Sequence, residues 1–205
     1  MIYLYSGTPG AGKSLHVAKV ITEHIRRGRP VIANFPIDYD MIKGRRKGEF
    51  LERDNMELSP DFLVSCSNAL RVLQDGKLKE GTILLVIDES QILFNSRDWG
   101  QKDRGAWLSF FSQHRKLGYD VILVSQYDRM LDRQIRALVE YEYKHRKVKN
   151  YGSFGFLLSM VAGGNLFVCV EMWYPLKQKV GSHFFVARKK YYGLYATFKL
   201  FTAPG

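Results

Sequence analysis

Eight consecutive residues near the N-terminus, Gly7-Thr8-Pro9-Gly10-Ala11-Gly12-Lys13-Ser14, restrict what this chain can fold into more than any other stretch. Their pattern, G-x-x-x-x-G-K-[ST], is that of a phosphate-binding loop. Gly7, Gly10 and Gly12 let the backbone take positive φ angles and curl tightly. A loop curled this way aims its N–H groups inward and runs into a helix N-terminus, and the two together cradle an anion. Lys13 then reaches the β- and γ-phosphates as a point charge, and the Ser14 hydroxyl ligates Mg2+. Gly7, Thr8, Pro9, Gly10, Ala11, Gly12, Lys13, Ser14 and Leu15 become the nucleotide-binding positions. The flanks agree. Residues 2–5 read as a short buried strand, and residues 15–27 as a helix with Val17, Ile21 and Ile25 on one face. A chance glycine-rich turn is the bland alternative, and the order strand, loop, helix argues against it.

A second motif follows some seventy-five residues later. Residues 83–87, Ile-Leu-Leu-Val-Ile, are aliphatic throughout, as in a parallel strand covered on both faces. The run ends in Asp88-Glu89. Behind a phosphate loop, such a pair places Asp88 on Mg2+, through water or Ser14, and Glu89 on the attacking water. Paired acids at a strand end also serve as helix N-caps, and taken alone this pair reads equally well that way.

Between the motifs, residues 31–34 form a second strand. Asn34 lies where that strand ends, and reads equally as a ligand-side group or as a turn-former ahead of Phe35-Pro36. Residues 38–55 look like an exposed excursion or hairpin, with the basic run 43–48 at its centre. Ser59 caps a helix that starts with Pro60. Residues 91–105 read as a loop over the nucleotide site carrying Phe94, Arg97, Trp99 and Arg104. A helix over 106–117 packs Trp107, Phe110 and Phe111, with Gly118 as its C-cap and Arg115 near its end. Residues 121–126 form another buried strand; Gln126 either senses the γ-phosphate and its water or simply terminates the strand. A short helix over 128–138 carries Arg129, Arg133 and Arg136.

From Val139 the composition changes. Residues 140–144 alternate like a strand and 144–149 are basic. Residues 151–170 carry no charge, which raises the question of a membrane span. Gly152, Gly155, Gly163, Gly164 and Asn165 favour two apolar strands around a turn at 163–165 instead. Strands at 184–187 and 195–201 follow. The expectation is an α/β fold of the P-loop class: a mostly parallel sheet flanked by helices, with antiparallel strands added at the C-terminal end. Residues 1–150 form the core and 151–205 an extension packed on it.

The totals support an ordered domain. Apolar residues make up 46% of the 205, enough for a core. The two cysteines, Cys66 and Cys169, lack C-x-x-C spacing and read as buried free thiols; the five histidines are scattered, which argues against a metal site. No secretory signal is expected at the N-terminus. The formal net charge of +11 favours an anionic partner, either nucleic acid or an acidic membrane surface, over a merely solvated basic surface.

Strand and helix between the two motifs, with Glu89 after Asp88, make the arrangement similar to RecA-like and AAA-type motors. The resemblance then narrows. GTPGAGKS, VIANFPI, LLVIDESQ and FFSQHRKLGYDVILVSQ together resemble the zonula occludens toxin (Zot) family, which includes assembly ATPase-like proteins of filamentous phages. It spans residues 1–146, and HRKLGYDVILVSQ gives it its specificity. The resemblance implies a protein at the host inner membrane that uses ATP and Mg2+ to drive assembly and export of the virion with its single-stranded DNA. It implies coat or export proteins as partners, an anionic membrane surface, and a homo-oligomer, in some motors a ring. Members typically carry a transmembrane helix after this domain, and none is evident here. Motors of this class complete their site with an arginine from a neighbouring subunit. Arg104, Arg115 and Arg136 are the candidates; Arg115 is favoured, with helix-dipole compensation as its equal alternative.

Overall fold

The computed structural model describes residues 1–44, 48–74, 76, 78–95, 101–150, 152–161, 165–187 and 189–194. The elements run in the order β1 (Ile2–Ser6), α1 (Lys13–Arg26), β2 (Val31–Ala33), β3 (Phe50–Glu52), α2 (Pro60–Leu73), β4 (Ile83–Ile87), α3 (Gln101–Gln113), β5 (Tyr119–Val124), α4 (Arg133–Leu138), β6 (Tyr141–Lys147), α5 (Gly152–Val161), β7 (Leu166–Trp173), β8 (Gln178–Val186) and α6 (Lys189–Tyr192). The eight strands make one sheet in the order β3-β2-β4-β5-β1-β6-β7-β8. Pairing is parallel from β3 through β6 and antiparallel from β6 to β8.

The sheet separates two apolar layers, and the period-2 alternation of its strands supplies both. Ile83, Leu85 and Ile87 of β4 face one layer with Leu63, Trp107, Phe110 and Phe111 of α2 and α3. Leu84 and Val86 face the other, where Val17, Ala18, Ile21 and Ile25 of α1 cover them. All five β4 residues are buried, as a parallel strand covered on both faces requires. Ser59 caps α2 by accepting from the Phe62 N–H, with Pro60 in the first turn. Gly118 takes φ 78° after α3, and its N–H donates to the Arg115 carbonyl at 3.0 Å.

Several expectations need correction. Residues 38–55 are not a hairpin: Phe50–Glu52 returns as β3, parallel to β2, and Ile42 and Asn55 are buried. The high charge of the segment hid a three-residue strand that closes the sheet edge. Residues 91–95 are not a lid, because Phe94 turns fully into the core against Trp107 and Phe111. The first of the two strands expected in 151–170 is the helix α5, whose Leu157 and Met160 suit a helix, while β7 begins only at Leu166. β6 pairs parallel with β1, and the antiparallel addition starts at β7. The 184–187 strand belongs to the longer β8, which begins at Gln178 and is exposed along most of its length, so no apolar alternation marks its start. Residues 45–47, 96–100, 162–164 and 195–205 lie outside the described residues, and with them Arg97, Trp99 and the expected strand at 195–201. Among the described residues no helix is long and apolar enough to cross a membrane.

Leu85 sits fully buried at the middle of the central sheet. Leu85→Ala should therefore cost about 2–5 kcal/mol of stability. Urea unfolding would measure it, and an unchanged midpoint would contradict the two-layer core.

Candidate nucleotide site

The site begins where β1 ends. Gly7, Gly10 and Gly12 take φ values of 142°, 73° and 95°, so the loop makes the inward curl its glycines allow. Two of these positions also admit no side chain. A Cβ on Gly7 would stand 2.5 Å from the His145 carbonyl oxygen of β6, and one on Gly12 would stand 2.7 Å from the Phe167 ring of β7. The loop is closed by the Ala11 N–H donating to the Thr8 carbonyl at 3.1 Å, and α1 starts directly after Gly12. No side chain caps α1 and no acid lies in its first turn, so its N-terminal N–H groups and dipole face the loop.

Lys13 folds over this curl. Its ammonium donates to the Gly7 carbonyl at 2.6 Å and to the Thr8 carbonyl at 3.4 Å. Burial lowers its pKa, while the negative charges of Asp88 and Glu89 work the other way. Those acids follow β4, which is separated from β1 only by β5. Two strand spacings are about 10 Å, so the two motifs open onto one edge of the sheet. Burial raises the Asp88 carboxyl to about 6, and the neighbouring Glu89 charge adds to this, against the Glu89 N–H and Lys13. Asp88 Oδ1 accepts that N–H at 2.8 Å. Glu89 itself is half-buried and takes φ 45°, a left-handed conformation rare outside glycine.

Two residues hold these acids in place. Asn34, at the end of β2, clasps the Asp88 backbone from both sides: its Oδ1 accepts the Asp88 N–H at 2.7 Å and its Nδ2 donates to the Asp88 carbonyl at 2.9 Å. The same Nδ2 donates to Asn55 Oδ1 at 2.9 Å. Its amide thus supports the acidic motif, a role that neither of the two readings open for Asn34 named. Gln91 Nε2 donates to Glu89 Oε2, a contact that sequence reasoning missed because Gln91 had been placed in a lid.

Gln126 arrives from β5. Its carbonyl accepts the Gly7 N–H at 3.2 Å, and it lines a cavity of about 490 Å3 with Gly7, Thr8, Glu142, Lys144 and Arg146. The basic run of β6 thus borders the upstream end of the phosphate loop. Lys144 lies 3.5 Å from Glu142, which also accepts from the Ser6 hydroxyl at 2.8 Å. Behind the loop, His16 Nδ1 and His145 Nε2 are 2.9 Å apart, and His145 Nδ1 faces the Ser6 carbonyl at 3.3 Å. Burial drops their pKa values to about 3 and about 4, so both rings are neutral near pH 7. With Cys169 they gather their ligand-capable atoms within 4.8 Å, a proximity that scatter along the sequence concealed. The two rings satisfy each other through their hydrogen bond, and we read the group as packing that joins α1 to β6 and β7.

Arg115 is not brought to this site. It lies at the opposite, N-terminal end of the parallel strands, in ion pairs with Glu140 and, at 3.3 Å, with Glu80. The N-terminal ammonium joins the cluster, 2.5 Å from Asp120. Arg104 pairs with Asp132 at 3.0 Å.

A curled glycine loop between strand and helix, a lysine over it, and a buried acidic pair on the same edge of a parallel sheet define a P-loop nucleoside-triphosphatase fold. Within that class, this chain belongs to the family described as Zonular occludens toxin (Zot), whose model matches residues 1–162. The gene 1 protein of Escherichia phage If1 is 31% identical over 172 residues, covering 80% of this chain and 47% of that protein. That of Enterobacteria phage fd is 29% identical over 170 residues, covering 80% and 48%. The chain therefore spans about half the length of the phage proteins it matches. Among solved structures, the N-terminal domain of zonular occludens toxin from Neisseria meningitidis superposes with a TM-score of 0.56 at 21% identity, covering 95% of this chain and 97% of that one. The genome packaging NTPase B204 of Sulfolobus turreted icosahedral virus 2, in complex with ATP-gammaS, gives 0.53 at 16%, covering 89% and 96%. These likenesses establish the fold.

The raised Asp88 pKa has a consequence for stability. The folded chain binds this proton more tightly than the unfolded chain, so its contribution to stability falls as pH rises from about 4 to about 6. Asp88→Asn, which cannot ionise, should be more stable than the parent at pH 7, by up to about 3 kcal/mol, and should lose that advantage below about pH 4. Urea unfolding with chelator present would compare the two. A parent more stable than Asp88→Asn at pH 7 would contradict the burial argument.

Proposed function

We propose that this domain is a Mg2+-dependent ATPase that powers assembly and export of filamentous phage virions at the host inner membrane. The observation that carries the enzymatic part is the convergence of Lys13 with the buried Asp88-Glu89 pair on one sheet edge. Family membership and the gene 1 relatives carry the biological setting.

The donors suit both groups. The loop N–H groups, the α1 N-terminus and Lys13 complement a triphosphate. Ser14 and Asp88 would hold the metal, whose charge would offset the cost of the buried carboxylate. Bound there, Mg2+ would neutralise charge on the triphosphate. Lys13 would turn from the Gly7 and Thr8 carbonyls to the β- and γ-oxygens. Glu89, steadied by Gln91, would accept a proton from the attacking water, and Gln126 would orient that water or the γ-phosphate. A neighbouring subunit of a homo-oligomer would contribute an arginine. Arg115 is a poor donor for that role, since Glu80 and Glu140 already neutralise it.

A second reading, a nucleic-acid translocase on the same fold, is favoured by the basic residues of β6 beside the loop. ATP hydrolysis measured separately with anionic membranes, coat protein and single-stranded DNA decides between them. Assembly predicts stimulation by membranes or coat protein. Stimulation by DNA alone, falling steeply with salt, would favour translocation. A protein that binds ATP and never turns it over would be a structural assembly factor.

The residue roles give a sharper test. Lys13→Ala should weaken triphosphate binding. Glu89→Gln should keep binding and slow hydrolysis by about 10²–10⁴-fold. Equal turnover by Glu89→Gln and the parent would remove Glu89 from the mechanism. Activity per molecule should also fall on dilution; constant specific activity down to the monomer would exclude a shared site.

A further inference from the structure

Two cavities flank the phosphate loop, and they differ in chemistry. The one at its upstream end, by Gly7 and Thr8, is bordered by Glu142, Lys144 and Arg146. The other, about 370 Å3, lies at the downstream end against Gly12, Ser14 and Leu15, and Phe167, Tyr191 and Tyr192 form its aromatic side. A triphosphate threaded through the loop has its γ-end near Lys13 and the Gln126 side, so its nucleoside leaves across Ser14 and Leu15, into the second cavity.

We propose that this second cavity is the nucleobase site, that it holds the base by stacking, and that it does not read the base edge. The inference rests on the nucleotide-site reading above and adds the substrate range: purine nucleoside triphosphates without preference for adenine. The rings divide the work. Phe167 is 3% exposed, packed against Gly12 on one side and stacked on Phe185 at 5.5 Å on another, so it forms a fixed floor. Tyr192, 50% exposed on α6, lines the cavity and is the ring we assign to the base. Tyr191 packs inward against the α1 layer and holds α6 to the body. The volume suits a nucleoside, within the usual span of small-ligand pockets.

Specificity follows from what the lining lacks. Discriminating adenine from guanine requires a donor or acceptor set against the base edge. Among the described residues, no carboxylate, carboxamide, imidazole or guanidinium lines this cavity; the polar side chains there are Lys13, Ser14, Lys147, Tyr191 and Tyr192. Lys13 and Ser14 belong to the phosphates and the metal, and Lys147 sits over the Phe167 ring at 5.8 Å. Every base has a π-face, so stacking tolerates all four and favours the larger purines.

Equilibrium binding to the full chain, with ATP, GTP, CTP, UTP and inorganic tripolyphosphate as probes, tests this. ATP and GTP should bind within about threefold of each other, and CTP and UTP more weakly. Tyr192→Ala should lose about 5- to 150-fold in ATP affinity and nothing in tripolyphosphate affinity, while Tyr192→Phe keeps both. Thermal melting of both variants checks that the fold is intact. A tenfold preference for ATP over GTP, or unchanged ATP binding by Tyr192→Ala, would overturn the base site while leaving the phosphate loop standing. A parent chain that binds neither ATP nor tripolyphosphate would overturn the nucleotide site itself, and the base site with it.

Discussion

A parallel sheet sends the C-terminal ends of its strands to one edge, and the candidate site depends on that directionality. β1, β5 and β4 are neighbours, so the loop after Ser6, the Ser125-Gln126 pair and the Asp88-Glu89 pair open side by side. Side-chain electrostatics then couple them. Lys13 and Asp88 are both held out of water, which disfavours the charge on each, and each charge stabilises the other. Their attraction offsets part of that cost and leaves burial the larger effect on each. Asn34 fixes the Asp88 backbone with two hydrogen bonds, so the spacing between the charges is set by the sheet and not by a mobile loop.

The site is held at a cost to the fold. Glu89 occupies left-handed backbone, worth roughly 1–3 kcal/mol of strain for such a residue. It follows a carboxylate that the surrounding burial would prefer protonated. Glycine at positions 7 and 12 admits close approach by β6 and β7 but gives up backbone restriction in the unfolded chain. The apolar layers above and below the sheet are what make these features affordable.

What the sequence made legible follows from how local each signal is. The phosphate loop is a backbone requirement spelled in glycines, and β4 is an unbroken aliphatic run, so both motifs and the parallel core could be read directly. Asn34 was legible as a position but not as a role, since its partner Asp88 is fifty-four residues away. Gln91 and Phe94 were misread together: a polar stretch after Glu89 looked like a lid, and only tertiary packing turns Phe94 inward. Arg115, two residues past the end of α3, carries no local sign of its pairing. Its carboxylate partners, Glu80 and Glu140, come from segments that sequence proximity does not connect to it. β3 shows no apolar-polar alternation because Phe50 packs on one layer and Leu51 on the other, and the start of β8 shows none because both of its faces are exposed.

Two strands late in the chain, β6 and β7, shape the loop most closely. β6 places the His145 carbonyl where a Gly7 side chain would stand, and its neighbour β7 does the same to Gly12 with the Phe167 ring. His16, two residues past the phosphate loop, reaches back to His145. The loop is therefore clamped on both of its outer glycines by strands that follow the α/β core in sequence. β6 joins the sheet beside β1, and the antiparallel strands β7 and β8 follow it there and not at the far edge beside β3. Placed beside β3, the same strands would extend the sheet equally well and leave the loop without a wall. Beside β1, they turn a phosphate cradle into a cleft with two chemically different ends: basic and polar upstream, aromatic downstream.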